Sequence, residues 1–182
     1  MTAPVKLQHY AALPGVRQKL IDLYTDVRAE LLHLPNYRAD VFAERLDRHA
    51  AEPGWQSVIA YAGNAAIGYA YANTIQPDDR WWARMSTPVP ALYTAAPAVA
   101  VKEIGVTTPW RGRGVARCIH DALLANRSER YATLMVNPAA GDGKVQRLYE
   151  GWGYAVIGEV QPSPESPVLT CMARSVRASA RS

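Results

Sequence analysis

Residues 103–116 read Glu-Ile-Gly-Val-Thr-Thr-Pro-Trp-Arg-Gly-Arg-Gly-Val-Ala. The stretch leaves a β-branched strand, passes through a short loop and enters a helix with one apolar stripe. Gly112 and Gly114 let the backbone approach a ligand without an intervening Cβ, so successive N–H groups can face phosphate oxygens at the positive end of the helix dipole. Arg111 and Arg113 add positive charge beside them. The stretch therefore predicts an anion site at a strand-to-helix turn.

Other phosphate-binding loops match this turn less well. A P-loop needs Gly-x-x-x-x-Gly-Lys-Ser/Thr, and a dinucleotide fingerprint needs three glycines as Gly-x-Gly-x-x-Gly; neither pattern stands here. The competing interpretation is an ordinary strand-to-helix turn whose arginines serve solubility.

Around this turn, periodicity and breakers predict a chain of α/β type. Helices are expected over about 15–33, 39–51, 112–125 and 143–151, and strands over 57–62, 65–75, 98–106, 131–136, 154–157 and 168–172. Residues 76–97 hold four prolines and several aromatics, which predicts a long loop that closes over something. One twisted mixed sheet with helices on both faces accounts for this order.

Two motifs resemble those of the GCN5-related N-acetyltransferase (GNAT) superfamily. Arg111-x-x-Gly114-x-Ala116 is similar to the family's cofactor motif between its fourth strand and third helix. The run Leu-Tyr-Glu-Gly-Trp-Gly-Tyr at 148–154 looks like its second signature, in which the tyrosine ends a helix beside the cofactor thiol. The resemblance implies a GNAT-like fold, with a central twisted mixed sheet of about six to seven strands flanked by about four helices.

The resemblance also implies that acetyl-CoA is the acetyl donor. The positions expected to contact it are Ile104, Val106, Arg111, Gly112, Arg113, Gly114, Val115, Ala116, Asn137, Asp142 and Tyr149. Relatives often carry an asparagine seven residues before the tyrosine, where this chain has Asp142. Asp142 is interpreted as the N-cap of the helix from Gly143, and which of Asn137 and Asp142 meets the cofactor stays open.

Three residues receive roles in direct attack of a neutral amine on the thioester, in the gap that the resemblance places between the fourth and fifth strands. The backbone N–H of Val106 is the candidate donor to the oxyanion, and Gly105 would accommodate a bulge there. Tyr149 is the candidate proton donor to the departing thiolate, or else a core aromatic. Glu103 is the candidate base through a relayed water, or else a surface charge or a group that orients the acceptor.

The leading hypothesis for the acceptor is a primary amine on a small molecule. His33, Tyr37, Tyr71 and Trp82 are its candidate contacts, with the aromatic loop acting as a lid. A protein acetyltransferase acting on lysine or N-termini, which needs an open groove, and a non-catalytic acyl-CoA-binding member are the alternatives.

Composition bounds these hypotheses. The chain has 182 residues, 49% hydrophobic and 20% charged, with a net charge of +4, which fits a single domain. Together with the resemblance, this predicts one GNAT domain over 1–174, followed by a flexible tail over 175–182. The dispersed arginines argue against nucleic acid, and no apolar run is long enough for a membrane span. The two cysteines and the absence of a leader pattern predict a cytoplasmic setting. A monomer or a homodimer is expected, and the sequence does not distinguish the two. No metal is expected, and His9, His49 and His120 are expected at the surface or as helix caps.

Overall fold

A seven-stranded sheet runs through the computed structural model, which describes residues 4–177. The strands are β1 (Val5–Tyr10), β2 (Gln56–Ala62), β3 (Ala65–Ile75), β4 (Ala98–Val106), β5 (Tyr131–Val136), β6 (Ala155–Val160) and β7 (Leu169–Ser175). The α-helices are α1 (Arg17–Val27), α2 (Ala39–Ala50), α3 (Arg80–Ala83), α4 (Ala91–Thr94), α5 (Val115–Ala125) and α6 (Lys144–Gly151).

The sheet is mixed, as the order of predicted elements requires. Its strand order is β1-β2-β3-β4-β5-β7-β6. β1, β2 and β3 are joined by antiparallel pairing, and so are β5, β7 and β6. β4 pairs in parallel with β5 through Val99 with Ala132 and Ala100 with Thr133. The expected mixed α/β architecture is confirmed.

Contacts divide the chain into two compact units, of which the first is Met1–Asn73 with Val101–Asn126. In this unit the alternation of β3 serves two helical layers. Tyr69 and Tyr71 are buried with Tyr24 and Phe42 of α1 and α2, and a Cβ at Gly68 would lie 2.9 Å from the Ile119 side chain of α5. The two faces of β3 therefore pack against different helices.

The second unit comprises Thr74–Ala100 and Arg127–Ser182. The excursion between β3 and β4 contains the one-turn helices α3 and α4, where sequence predicted an irregular loop. Its Trp82 is buried with Ala98, Ala100 and Cys171. Ser86 donates its N–H to the Glu159 carbonyl at 2.8 Å, and Met85 bridges Val160. These contacts anchor the excursion to β6.

Several predicted boundaries were wrong in the first unit. β1 was missed because its side chains are exposed except for a half-buried Tyr10, so its alternation follows no core face. α1 ends at Val27 and is followed by a 3-10 turn at Ala29–Leu31, since apolar spacing does not separate the two helix types. α5 begins at Val115, because Gly112 and Gly114 have positive φ, which an α-helix does not allow.

In the second unit β6 and β7 are longer than predicted. The predicted strand stopped before Gly158, but this glycine lies inside β6 beside a register shift, where its missing side chain makes room for Met85. β7 includes Ser175, and Val176 is buried, so ordered structure passes the expected start of the tail. The remaining tail residues, 178–182, lie outside the described part of the chain.

Candidate functional site

β4 delivers the chain to the turn along a tightly packed edge of α1. A Cβ at Gly105 would lie 2.8 Å from Cγ1 of Val27, so glycine is required there for close approach of the helix. Val106 is buried, and the following Thr107 donates its N–H to the Ile67 carbonyl at 2.9 Å. The backbone that carries the candidate oxyanion donor is thus held from two sides. The bulge proposed at Gly105 stays a prediction.

The turn itself has the geometry expected of an anion cradle. Gly112 and Gly114 have φ of +73° and +78°, and a Cβ at either position would meet no atom within 4 Å. Gly114 is the N-cap residue of α5, and no side chain caps the helix. Open space therefore borders backbone N–H groups at the positive end of an eleven-residue helix.

The two arginines of the turn make different contacts. Arg111 donates from Nε to the Val106 carbonyl at 3.1 Å and from Nη2 to the Val27 carbonyl at 3.0 Å. It thus ties the turn to the ends of β4 and α1. Arg113 is exposed, and its guanidinium lies 5.4 Å from the centre of the Trp110 ring. Both residues are exposed, and the difference between them is that two backbone carbonyls hold the guanidinium of Arg111.

Glu103 lies between two arginines that sequence reasoning missed. Its Oε1 accepts a hydrogen bond from Nη2 of Arg45 at 3.0 Å, and its Oε2 lies 3.7 Å from Nη2 of Arg28. The carboxylate side chain is 12% exposed, so Glu103 is not the free surface charge of one interpretation. Arg45 and Glu103 stand 58 positions apart, and no local pattern announces such a pair. Its role as a base stays a prediction.

Aromatic residues surround this ion-pair group. Tyr24 stacks on Phe42 with ring centres 3.8 Å apart, and its hydroxyl donates to the Tyr37 carbonyl at 3.0 Å. Burial, followed by the charge of Glu103, raises the pKa of Tyr69 and of Tyr71 well above the usual value. Both phenols therefore stay neutral at physiological pH.

The four residues expected to contact the acceptor differ in exposure and in location. His33 is exposed and Tyr37 half-buried in the connection between α1 and α2. Tyr71 is 0% exposed, and its hydroxyl lies 3.1 Å from Nδ1 of His49. Trp82, in the second unit, is buried and lines a cavity of about 570 Å³ formed by residues of the segment 77–94. Direct contact of any of the four with an acceptor stays a prediction.

The expectation that the histidines lie at the surface or cap helices was wrong for His120. His9 is exposed, but His120 is completely buried on α5, with Nδ1 3.1 Å from Oδ1 of Asp121. His49 is half-buried near the end of α2. Burial, and to a smaller extent the positive charge of Lys102, lowers the pKa of His49 to about 3. The imidazole is therefore neutral at pH 7 and a weak base.

In the second unit Tyr149 is buried in an aromatic group. Its ring centre lies 5.3 Å from that of Trp152 and 5.9 Å from that of Tyr154. This packing is expected if Tyr149 is a core aromatic residue. It does not decide whether Tyr149 also donates a proton to the thiolate. Asn137 accepts the Ala139 N–H at its side-chain oxygen at 3.0 Å.

The interpretation of Asp142 as a helix cap was wrong. α6 begins at Lys144, its N-cap residue is Gly143, and no side chain caps it. Asp142 itself has a φ of 55°, and its carbonyl accepts a hydrogen bond from Arg147 at 3.3 Å. The glycines on either side allow a left-handed turn that places the helix start one residue later than predicted.

Within residues 4–177, no group of three or more His, Cys, Asp or Glu side chains is arranged to hold a metal ion. Within the same range, every helix is too short or too polar to cross a membrane.

Comparison with known proteins supports the fold. No family model matches the sequence, and no curated protein sequence matches it. Among solved structures, a putative GNAT-family acetyltransferase from Desulfovibrio desulfuricans is similar, with a TM-score of 0.68, 15% identity, and coverage of 96% of this chain and 100% of that one. PH1933 from Pyrococcus horikoshii has the same TM-score and coverage at 17% identity.

A third similar structure is Arabidopsis thaliana NAA60 in complex with acetyl-CoA. Its TM-score is 0.64 at 13% identity, with coverage of 95% of this chain and 100% of that one. These likenesses extend over nearly the whole chain. The chain has the fold of the GNAT acetyltransferases.

Proposed function

We propose that this protein is an acetyl-CoA-dependent N-acetyltransferase that acetylates a primary amine of a small molecule. The observation that carries the proposal is the turn after β4, where Gly112 and Gly114 leave open space at an uncapped helix start. A pyrophosphate placed there would accept hydrogen bonds from backbone N–H groups and gain from the helix dipole. The solved complex of the similar NAA60 with acetyl-CoA supports the same ligand here.

The residues of the turn meet the demands of the ligand. Gly112, Gly114, Val115 and Ala116 would present the backbone to the phosphates, and exposed Arg113 would add charge. Arg111 would act through the carbonyls that it holds and not through phosphate. Ile104, Val106, Asn137 and Asp142 remain proposed contacts for the rest of the molecule. When bound, acetyl-CoA supplies a thioester carbonyl that an amine can attack.

Each residue with a proposed role in the reaction acts at one atom. The N–H of Val106 would stabilise negative charge that develops on the carbonyl oxygen. The hydroxyl of Tyr149 would protonate the departing sulfur. Glu103 would orient the acceptor or receive its proton through water, although its two arginine neighbours favour the orienting role.

The excursion between β3 and β4 favours a small acceptor over a protein. The cavity against residues 77–94 measures about 570 Å³, within the range that small-molecule sites occupy. Anchoring of Met85 and Ser86 to β6 gives this segment a defined position, as the wall of a small-molecule site requires. Peptide acceptors remain an outcome that the following experiment separates.

The test combines binding with turnover. Wild-type protein should bind acetyl-CoA and release free thiol with members of an amine panel, and more slowly with lysine or N-terminal peptides. Tyr149→Phe should lower kcat by about 10- to 100-fold while binding is retained, because the ring packing survives without the hydroxyl. Tyr154→Phe, in the same aromatic group, is the matched control and should keep its rate.

Three results would redirect the proposal. Faster turnover of peptides would favour a protein acetyltransferase. Binding without turnover of any amine or peptide, with Tyr149→Phe unchanged, would favour a non-catalytic acyl-CoA-binding protein. Absence of acetyl-CoA binding would overturn the proposal itself.

A further inference from the structure

The ion-pair group of Arg28, Arg45 and Glu103 contains more positive than negative charge. Among the described residues, the salt bridges of both arginines go to the same carboxylate. One guanidinium charge is therefore left without an anionic partner. His49, close by on α2, is neutral, and Lys102 adds a further positive charge to its surroundings. Half-buried charges are stabilised by an opposite charge, so the group is prepared for an anion.

Arg28 is the better placed of the two arginines to receive that anion. Its distance to Glu103, 3.7 Å, is too long for a hydrogen bond, whereas Arg45 makes one at 3.0 Å. The Arg28 side chain is 32% exposed, so its donors can be reached from solvent. A planar guanidinium with free donors in a half-buried setting binds carboxylates well, often through two hydrogen bonds.

The group lies next to the reacting end of the proposed site. Arg28 follows Val27, whose carbonyl accepts from Arg111 of the turn and whose side chain contacts Gly105, the residue before Val106. Glu103 lies on the same face of β4 as Gly105, because strand side chains alternate. An anion bound by Arg28 would therefore lie near the candidate oxyanion donor and away from the phosphates at the helix start.

We propose that Arg28, with Arg45, binds a carboxylate carried by the acceptor, so that the acceptor is an amino acid or a related amine that bears a carboxyl group. This inference rests on the proposed function and specifies its substrate class. Glu103 would hold the two guanidiniums in place and lie close to the ammonium of the same molecule. Arg45 stacks near Phe42, with its guanidinium carbon 5.5 Å from the ring centre, and is the more firmly held of the pair.

Matched acceptor pairs test the inference directly. Phenylalanine and phenethylamine, and lysine and cadaverine, differ by the carboxylate. We expect kcat/KM with acetyl-CoA to favour the carboxylate-bearing member by about tenfold or more, and Arg28→Gln to remove that preference. Arg28→Lys should restore part of it. Arg17→Gln is the control. It removes a guanidinium of α1 that pairs with Asp47 of α2, and it should keep the preference.

A binding measurement makes the result independent of turnover. N-acetylphenylalanine and N-acetylphenethylamine, added with coenzyme A, should differ in affinity by about tenfold for the wild type and by less than about twofold for Arg28→Gln. Unchanged acetyl-CoA affinity and thermal melting of Arg28→Gln would show that the variant is folded and its donor site intact. Equal use of both members of each pair, or a preference that persists in Arg28→Gln and Arg45→Gln, would overturn the inference. If the wild-type protein does not bind acetyl-CoA, the result would instead count against the proposed function.

Discussion

Two strand-to-helix turns of this molecule are built alike and differ in what fills them. After β4 and after β5 the chain makes a 3-10 turn, reaches a glycine and begins a helix, and the two glycines have nearly the same conformation, φ 78° at Gly114 and 80° at Gly143. Space at Gly114 is open, but a Cβ at Gly143 would lie 2.9 Å from the Arg147 guanidinium. The backbone conformation of a glycine-capped helix start is thus no evidence of a ligand site until its surroundings are considered.

Aspartate in place of each glycine should give the largest difference between the turns. Aspartate tolerates positive φ better than most residues, as Asp142 shows with φ 55°. In Gly114→Asp the carboxylate would oppose the phosphates, and we expect acetyl-CoA affinity to fall by about 100-fold, or ~2.7 kcal/mol. Gly143→Asp should change it by less than about threefold. Isothermal titration calorimetry of both variants measures this difference. Equal losses of acetyl-CoA affinity would contradict the assignment of different roles to the two turns.

Arg113 should contribute next, and in a salt-dependent way. Arg113 is exposed, and it would pair with phosphate through solvent-accessible charge. Arg113→Ala should weaken acetyl-CoA binding by about tenfold at low ionic strength and by less at high ionic strength, because salt screens such contacts. A loss that is the same at both salt concentrations would contradict a charge interaction.

Arg111→Ala should act on stability before it acts on binding. Its guanidinium holds two backbone carbonyls, so removal should lower the free energy of unfolding by about 1 to 2 kcal/mol. Urea denaturation measures this change, with Arg113→Ala as the comparison and little effect expected from it. If Arg111→Ala is as stable as the wild type but fails to bind acetyl-CoA, the arginine contacts the ligand and the structural role assigned to it is wrong.

Removal of the side chain that fills the second turn should have the smallest effect. Arg147 donates to the Asp142 carbonyl on an exposed part of α6, and Arg147→Ala should cost less than about 1 kcal/mol of stability. Acetyl-CoA affinity should stay within about twofold of the wild type, since the first turn is untouched. A tenfold loss would show that the second turn, too, receives the phosphates.

Local chemistry allowed much of this molecule to be predicted from its sequence. Three strands were predicted with their observed limits, β3, β4 and β5, because β-branched runs and breakers mark them clearly. The glycines at 112 and 114 have the positive φ that the turn requires. Each of these features depends on residues that are neighbours in sequence.

Features that depend on distant partners were not predicted. Arg28 and Arg45 acquire meaning through Glu103, which lies on another element. The burial of His120 and the partial burial of His49 follow from the elements packed against them. β1 pairs with β2 through its backbone, while its side chains remain largely exposed. Its sequence therefore shows no hydrophobic alternation from which a strand could be predicted.

Backbone amide resonances titrated with 3′-phospho-ADP, the phosphate-bearing part of coenzyme A, test the central claim most directly. The open turn predicts saturable shifts at Gly112, Arg113, Gly114, Val115 and Ala116, because these N–H groups would face the phosphates. Gly143 and Lys144, beside the filled turn, should move little. Saturable binding that leaves the amides of 112–116 unchanged, or no binding at all, would contradict the assignment of this turn as the phosphate site.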